Sequence, residues 1–280
     1  MNRLDHIRFY IQNPNPVWDL KLVEALVRDK SRELVSSGMV GNDGIYHTAN
    51  MLGNKVTATN SKYFLSMDSQ LPVEFAAHNL LTGVYKENGL YTLSSQEIIS
   101  LNGIAKLNNA MDRLMLAGDC GRCVSKLVKA LQILRQPEPE YDVSYSHPDI
   151  PFTIFVSVGE DGSQVESLRL SESILHESMH LLLSLIEGHV PLISDNTQVF
   201  YSPWRETERP LLGVLHGMFV FRAVLDFYVA INAELSDPMA KDFAEYRAEQ
   251  ITAELEQLQG FSNCNGLTIE GALLAVSLTT

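Results

Sequence analysis

The stretch Ser171-Glu172-Ser173-Ile174-Leu175-His176-Glu177-Ser178-Met179-His180-Leu181-Leu182 constrains the fold of this chain more than any other. Its apolar residues, continued by Leu183, Leu185 and Ile186, run on without a glycine or proline, so the segment reads as a helix packed inside the protein. At about 100° per residue, His176 and His180 stack on one face of that helix, and their imidazoles can converge on a single divalent metal. With Glu177 they complete an HExxH pattern. The flanking apolar residues would exclude water and fix the rotamers that a metal site needs.

A buried helix requires a surrounding core, and 280 residues with 45% hydrophobic content can build one. The length allows one large domain or two modest ones. The balance of 21 basic against 34 acidic residues gives a net charge of −13, which repels phosphate backbones and anionic lipid surfaces, so nucleic acid and membrane are not expected partners. Met1-Asn2-Arg3-Leu4-Asp5-His6 lacks the apolar core of a signal peptide. No run is read as the roughly 20 apolar residues of a membrane span, and a cytoplasmic location is expected. Cys120, Cys123 and Cys264 are too few for a disulfide framework and read as reduced thiols. The Cys120-Gly121-Arg122-Cys123 element reads as a turn between helices, because a structural zinc would need two further ligands.

Periodicity predicts helices over 17–36, from the capping sequence Ser94-Ser95-Gln96-Glu97 through Leu116, over 124–134, 211–235 and 238–258, with a closing helix over 267–278 and a short one over 73–82. Phe152 to Val158 is the clearest strand, ended by the Gly159-Glu160-Asp161-Gly162 turn, and Gln198 to Tyr201 is a second. The fold class expected is mainly α with a small β-sheet (α+β). Gln136-Pro137-Glu138-Pro139-Glu140 reads as a linker between a helical region 1–140, suited to peptide recognition, and a metal-binding region 141–280, although one continuous domain is also compatible. The charged face over 240–257 reads as solvated surface.

Two histidines do not complete a site, since zinc or a facial iron centre needs a third protein ligand. Ile186 occupies the position where a metzincin carries its third histidine. His189 follows a helix-ending Gly188 and would point away. His216, in an apolar run between Gly213 and Gly217, is the preferred third ligand, on a second helix packed against the first. Glu206, Glu208 and Asp226 remain alternatives. Ser202-Pro203-Trp204-Arg205-Glu206-Thr207-Glu208-Arg209-Pro210 reads as a rigid loop presenting guanidinium groups, which fork onto carboxylates, or else as a set of local ion pairs.

HExxH in an apolar helix, then Ser-Pro-Trp-Arg-x3-Arg-Pro, then Gly-Val-Leu-His-Gly and Phe-Val-Phe, resembles the HExxH-type peptide modification family of ribosomally made peptide natural products. Its members are described as iron and 2-oxoglutarate-dependent peptide β-hydroxylases. The likeness spans roughly 150–228 and adds little to residues 1–140. It implies that His176, His180 and His216 hold Fe(II), that Arg205 or Arg209, beside Trp204, holds the far carboxylate of 2-oxoglutarate, and that O2 is consumed. The implied substrate is a residue of a ribosomally synthesised precursor peptide. Glu177 then orients a ligand or water, whereas in a zinc-dependent HExxH peptidase, the alternative reading, it is the general base. A non-catalytic peptide-binding protein is the third reading.

Overall fold

The computed structural model describes residues 3–13, 16–39, 63–65, 71–74, 84–138 and 141–279. Its elements are α1 (Arg3–Ile11), α2 (Leu20–Ser36), β1 (Tyr63–Leu65), β2 (Leu71–Val73), α3 (Val84–Glu87), α4 (Ser95–Ser100), α5 (Gly103–Leu116), α6 (Asp119–Leu127), β3 (Ala130–Leu134), β4 (Ser144–Ser146) and β5 (Thr153–Ser157). They continue with α7 (Gln164–Glu187), β6 (Val199–Ser202), β7 (Thr207–Pro210), α8 (Leu211–Asn232), α9 (Pro238–Glu256) and α10 (Ile269–Thr279), and short 3-10 turns span Pro16–Trp18 and Phe261–Asn263. The expected mainly helical α+β class is what the chain adopts.

Most of the long helices begin where a side chain can satisfy free backbone N–H groups. Asp19 accepts from Leu22 N at the start of α2, Ser163 from Glu166 N at α7, and Asp237 from Ala240 N at α9. Helix α8 starts at Pro210 without a cap of its own; Leu212 N instead donates to Asn196 Oδ1 at 3.1 Å. The capping box predicted at Ser94 is present, with Ser94 and Glu97 bonded reciprocally.

One sheet runs in the order β1-β2-β3-β5-β4, with β2, β3 and β5 parallel and antiparallel strands β1 and β4 at its edges. Every residue of β3 and β5 is buried, as for strands covered on both faces. The hairpin β6–β7 is separate. Helix α7 lies on the sheet beside β4 and β5 and is flanked by α2, α5, α6, α8 and α9, and its two histidines are half-buried among these elements. The principal apolar cluster extends from Ile7 to Leu278. Residue 140 falls between β3 and β4, and segments from both sides of it build this sheet and this cluster.

Several expectations are corrected. The helix expected over 124–134 ends at Leu127, and Ala130–Leu134 is instead the strand β3. Its short apolar run is compatible with either state, and pairing between β2 and β5 decides for strand. The segment after Ser94 is two helices, because Asn102 adopts φ +52° and turns the chain. Of the short helix expected over 73–82, Val73 instead ends the strand β2, and 75–82 lies outside the described residues. Cys120 and Cys123 occupy the first turns of α6 rather than a turn between helices, and burial pushes both thiols well up. Among the described residues only α8 is long and apolar enough to cross a membrane by composition; 67% of that window is buried within the fold, which assigns α8 to the core.

Candidate metal centre

Helices α7 and α8 pack along each other and bring three imidazoles together. His180 Nε2 lies 3.2 Å from His176 Nε2, and His180 Nδ1 lies 3.1 Å from His216 Nδ1. The His180 and His216 rings stack with centroids 5.4 Å apart, while Phe221 meets His176 edge-on. Ligands about 2.1 Å from a common metal at tetrahedral to right angles stand about 3.0 to 3.4 Å apart, so each nitrogen pair taken singly has the spacing of two ligands of one ion.

The nitrogens nevertheless alternate. His180 shows Nε2 to one neighbour and Nδ1 to the other, and as the side chains stand no group of three His, Cys, Asp or Glu among the described residues is placed to hold a metal ion. With one proton on each neutral ring, the arrangement closes as a hydrogen-bonded chain: His176 Nε2–H donates to His180, His180 Nδ1–H to His216, and His216 Nε2–H to Glu187 Oε2 at 3.0 Å. Metal loading therefore requires the protons between the rings to leave or move and the His180 ring to turn. Burial, then His176, His216, Arg209 and Arg205, holds His180 well below its ordinary pKa, so it keeps the neutral form that a metal ligand needs.

The β6–β7 hairpin lies against α8. Its Trp204 indole rests on Gly217, the residue after His216, and stacks at a tilt on Phe221 with centroids 4.9 Å apart. A Cβ at Gly217 would stand 2.1 Å from Trp204 Cζ2, so only glycine allows this approach. One turn earlier the Arg209 guanidinium lies over Gly213, at a distance that would put a Cβ 3.4 Å from its Cζ. The two glycines that flank His216 thus receive the aromatic and one cation of the same loop. Arg205 sits at the exposed turn beside Glu206, which has φ +51°.

Glu177 does not join the imidazoles. One residue past His176 it faces β4, where Ser144 Oγ donates to Oε1 at 2.6 Å and Ser146 Oγ to Oε2 at 2.5 Å. Alternate residues of a strand share a face, so both hydroxyls meet the one carboxylate. A cavity of about 340 Å³ opens beside His176 and Ser144, walled by Arg169, Glu172, Phe243 and Arg247.

Sequence reasoning missed Glu172, Arg247, Tyr228 and Glu187. Arg247 clasps Glu172 with Nη2 at 2.6 Å from Oε1, and Tyr228 donates to Oε2 at 2.7 Å. The 240–257 face is therefore not all solvated surface. Burial alone would lower the Arg247 pKa, and the bonds and charge of Glu172 outweigh it. The signal for the two glutamates was spacing: Glu172 is four residues before His176, and Glu187 seven after His180, close to two turns, so all four share one stripe of α7. Arg247 and Tyr228 arrive from other helices and had no such signal.

The remaining candidates lie elsewhere or are otherwise engaged. Asp226 bonds Arg222 and Trp18, both at 3.2 Å, ten residues or about 15 Å of helix beyond His216. Glu206 and Glu208 are exposed, and His189 lines a different cavity with Pro148 and Phe152. No protein-family model matches the chain, and no curated protein matches it significantly.

Proposed function

We propose that this protein is an Fe(II)- and 2-oxoglutarate-dependent hydroxylase that acts on the β-carbon of a residue in a ribosomally synthesised precursor peptide, in the cytoplasm. The observation that carries the reading is the convergence of His176, His180 and His216, with nitrogens 3.1 to 3.2 Å apart, under a hairpin that brings Arg209 and Trp204 to the same face of α8. The likeness of the motifs supplies the reaction type and the peptide substrate.

Three imidazoles are a neutral donor set, suited to a divalent ion that must also accept a 2-oxo acid. Iron with 2-oxoglutarate and O2 supplies the oxidising power, and the overall conversion turns a C–H bond, 2-oxoglutarate and O2 into an alcohol, succinate and CO2. The chain's own residues bind and orient. Arg209, half-buried over Gly213, holds the far carboxylate of the cosubstrate, while Trp204 and Phe221 close an apolar wall beside His176 and His216. Both arginines stand near enough to His180 to disfavour its protonation, which puts them within electrostatic reach of the centre. Glu177, engaged at both oxygens by serines, serves as an anchor of α7 to β4 rather than as a base.

Anaerobic protein given Fe(II) and 2-oxoglutarate should develop a visible charge-transfer band, and oxygenation with the peptide should add one oxygen atom by mass while releasing succinate. Arg209→Ala should raise the half-saturating 2-oxoglutarate concentration roughly 10-fold or more, as loss of a charged hydrogen bond does, with iron retained and Arg205→Ala milder. Stoichiometric zinc, peptide cleavage and no band would replace this reading with a zinc peptidase.

A further inference from the structure

We propose that Glu187 is a positioning residue of the centre: it accepts a hydrogen bond from His216 Nε2–H and so makes Nδ1 the atom through which His216 binds metal. The inference rests on the metal-centre reading above and adds a donor set that HExxH alone does not imply, with His216 contributing the opposite ring nitrogen from His176 and His180.

The geometry is specific. Glu187 is the last residue of α7, and its Oε2 stands 3.0 Å from His216 Nε2, with the two side chains only 22% and 16% exposed. A carboxylate there accepts and cannot donate, so in the neutral imidazole the one proton sits on Nε2 and the lone pair on Nδ1. That Nδ1 faces His180, 3.1 Å away. The site is also an unfavourable one for a negative charge, since the last turn of a helix presents carbonyl oxygens, and Gly188 ends α7 immediately afterwards. A glutamate kept against that field and aimed at one histidine fits a carboxylate that fixes ring orientation and tautomer behind a metal ligand. Without it the His216 ring could present either nitrogen to His180.

The test uses the full chain with ¹⁵N-labelled histidine. Long-range proton–nitrogen spectra of the metal-free protein, with His216→Gln to assign the signals, should show His216 protonated at Nε2. Glu187→Gln, whose amide oxygen still accepts, should keep that pattern, and Glu187→Ala should lose it. Competition for Zn(II) against a chromogenic chelator should show Glu187→Ala weakened roughly 10- to 100-fold, Glu187→Gln less, and His216→Ala more than either. Unchanged circular dichroism in Glu187→Ala separates positioning from unfolding. An Nδ1–H tautomer in the native protein, or the same tautomer in Glu187→Ala, overturns the proposal. So does zinc loss in Glu187→Ala as complete as in His216→Ala, which would make Glu187 a ligand. A native protein that binds neither Zn(II) nor Fe(II), with the Nε2–H tautomer intact, overturns the metal-centre reading and the role of Glu187 with it.

Discussion

Glu177 and His180 are neighbours in sequence with opposite electrostatic needs. The Glu177 carboxylate is buried and held by Ser144 and Ser146. Glu177→Gln keeps an acceptor for one hydroxyl and a donor for the other, so urea denaturation should place it within about 1 kcal/mol of the native protein, whereas Glu177→Ala strands two serines and should cost about 1–3 kcal/mol. On the hydroxylase reading, oxygen addition survives in part in Glu177→Gln; native peptide cleavage that vanishes in this variant would establish a general base. His180 is kept neutral by burial, then by His176, His216 and the two arginines. Because its folded pKa lies below the ordinary 6.5, the unfolded chain takes up a proton that the folded one refuses, and stability present above pH 6.5 is lost as the pH falls below that value. Chemical denaturation of metal-free protein from pH 7.5 to 5 should show that slope, and His180→Gln should flatten it. The HExxH spacing made both histidines legible, but the partner of Glu177 was not, because nothing in a sequence says which face of a helix a short edge strand will meet.

At the scale of elements, the centre depends on how closely a hairpin approaches a helix. Gly217→Ala would drive a methyl group into the Trp204 ring, and the indole must move. The expected cost is about 1–3 kcal/mol, with a shift in tryptophan emission and, on the hydroxylase reading, weaker 2-oxoglutarate binding as Arg209 is displaced. Trp204→Phe in the same background should restore part of the stability; equal denaturation curves for Gly217→Ala and the native protein would show that the hairpin rests elsewhere. The aromatic and the arginines of this loop were readable as chemistry. That each lands on one of the two glycines beside His216 was not, since Gly213 and Gly217 look like mere helix breakers until their neighbour is known. Helix α7 was legible from Ser171 to Ile186 because its apolar period and its terminating glycine agree, whereas its first two turns, from Gln164 to Leu170, lack that uninterrupted apolar run. The strand β3 was not, since Ala130 to Leu134 is too short for period to separate strand from helix, and two flanking strands settle the matter.

Across the whole molecule, the sheet order carries a consequence for any attempt to divide the chain. Strand β3 precedes residue 140, β5 follows it, and five residue pairs join the two in parallel register. A polypeptide beginning at residue 141 would leave the Thr153–Ser157 strand with one bare edge and a dry face in water, and recombinant expression of that piece should yield insoluble material. A nick introduced between 138 and 141 in the folded protein is another matter: the two halves should travel together through a sizing column and part only in denaturant. The histidine cluster would then survive a broken backbone but not a missing half, so on the metal-centre reading complementation between separately expressed halves becomes a direct way to assay assembly by metal uptake.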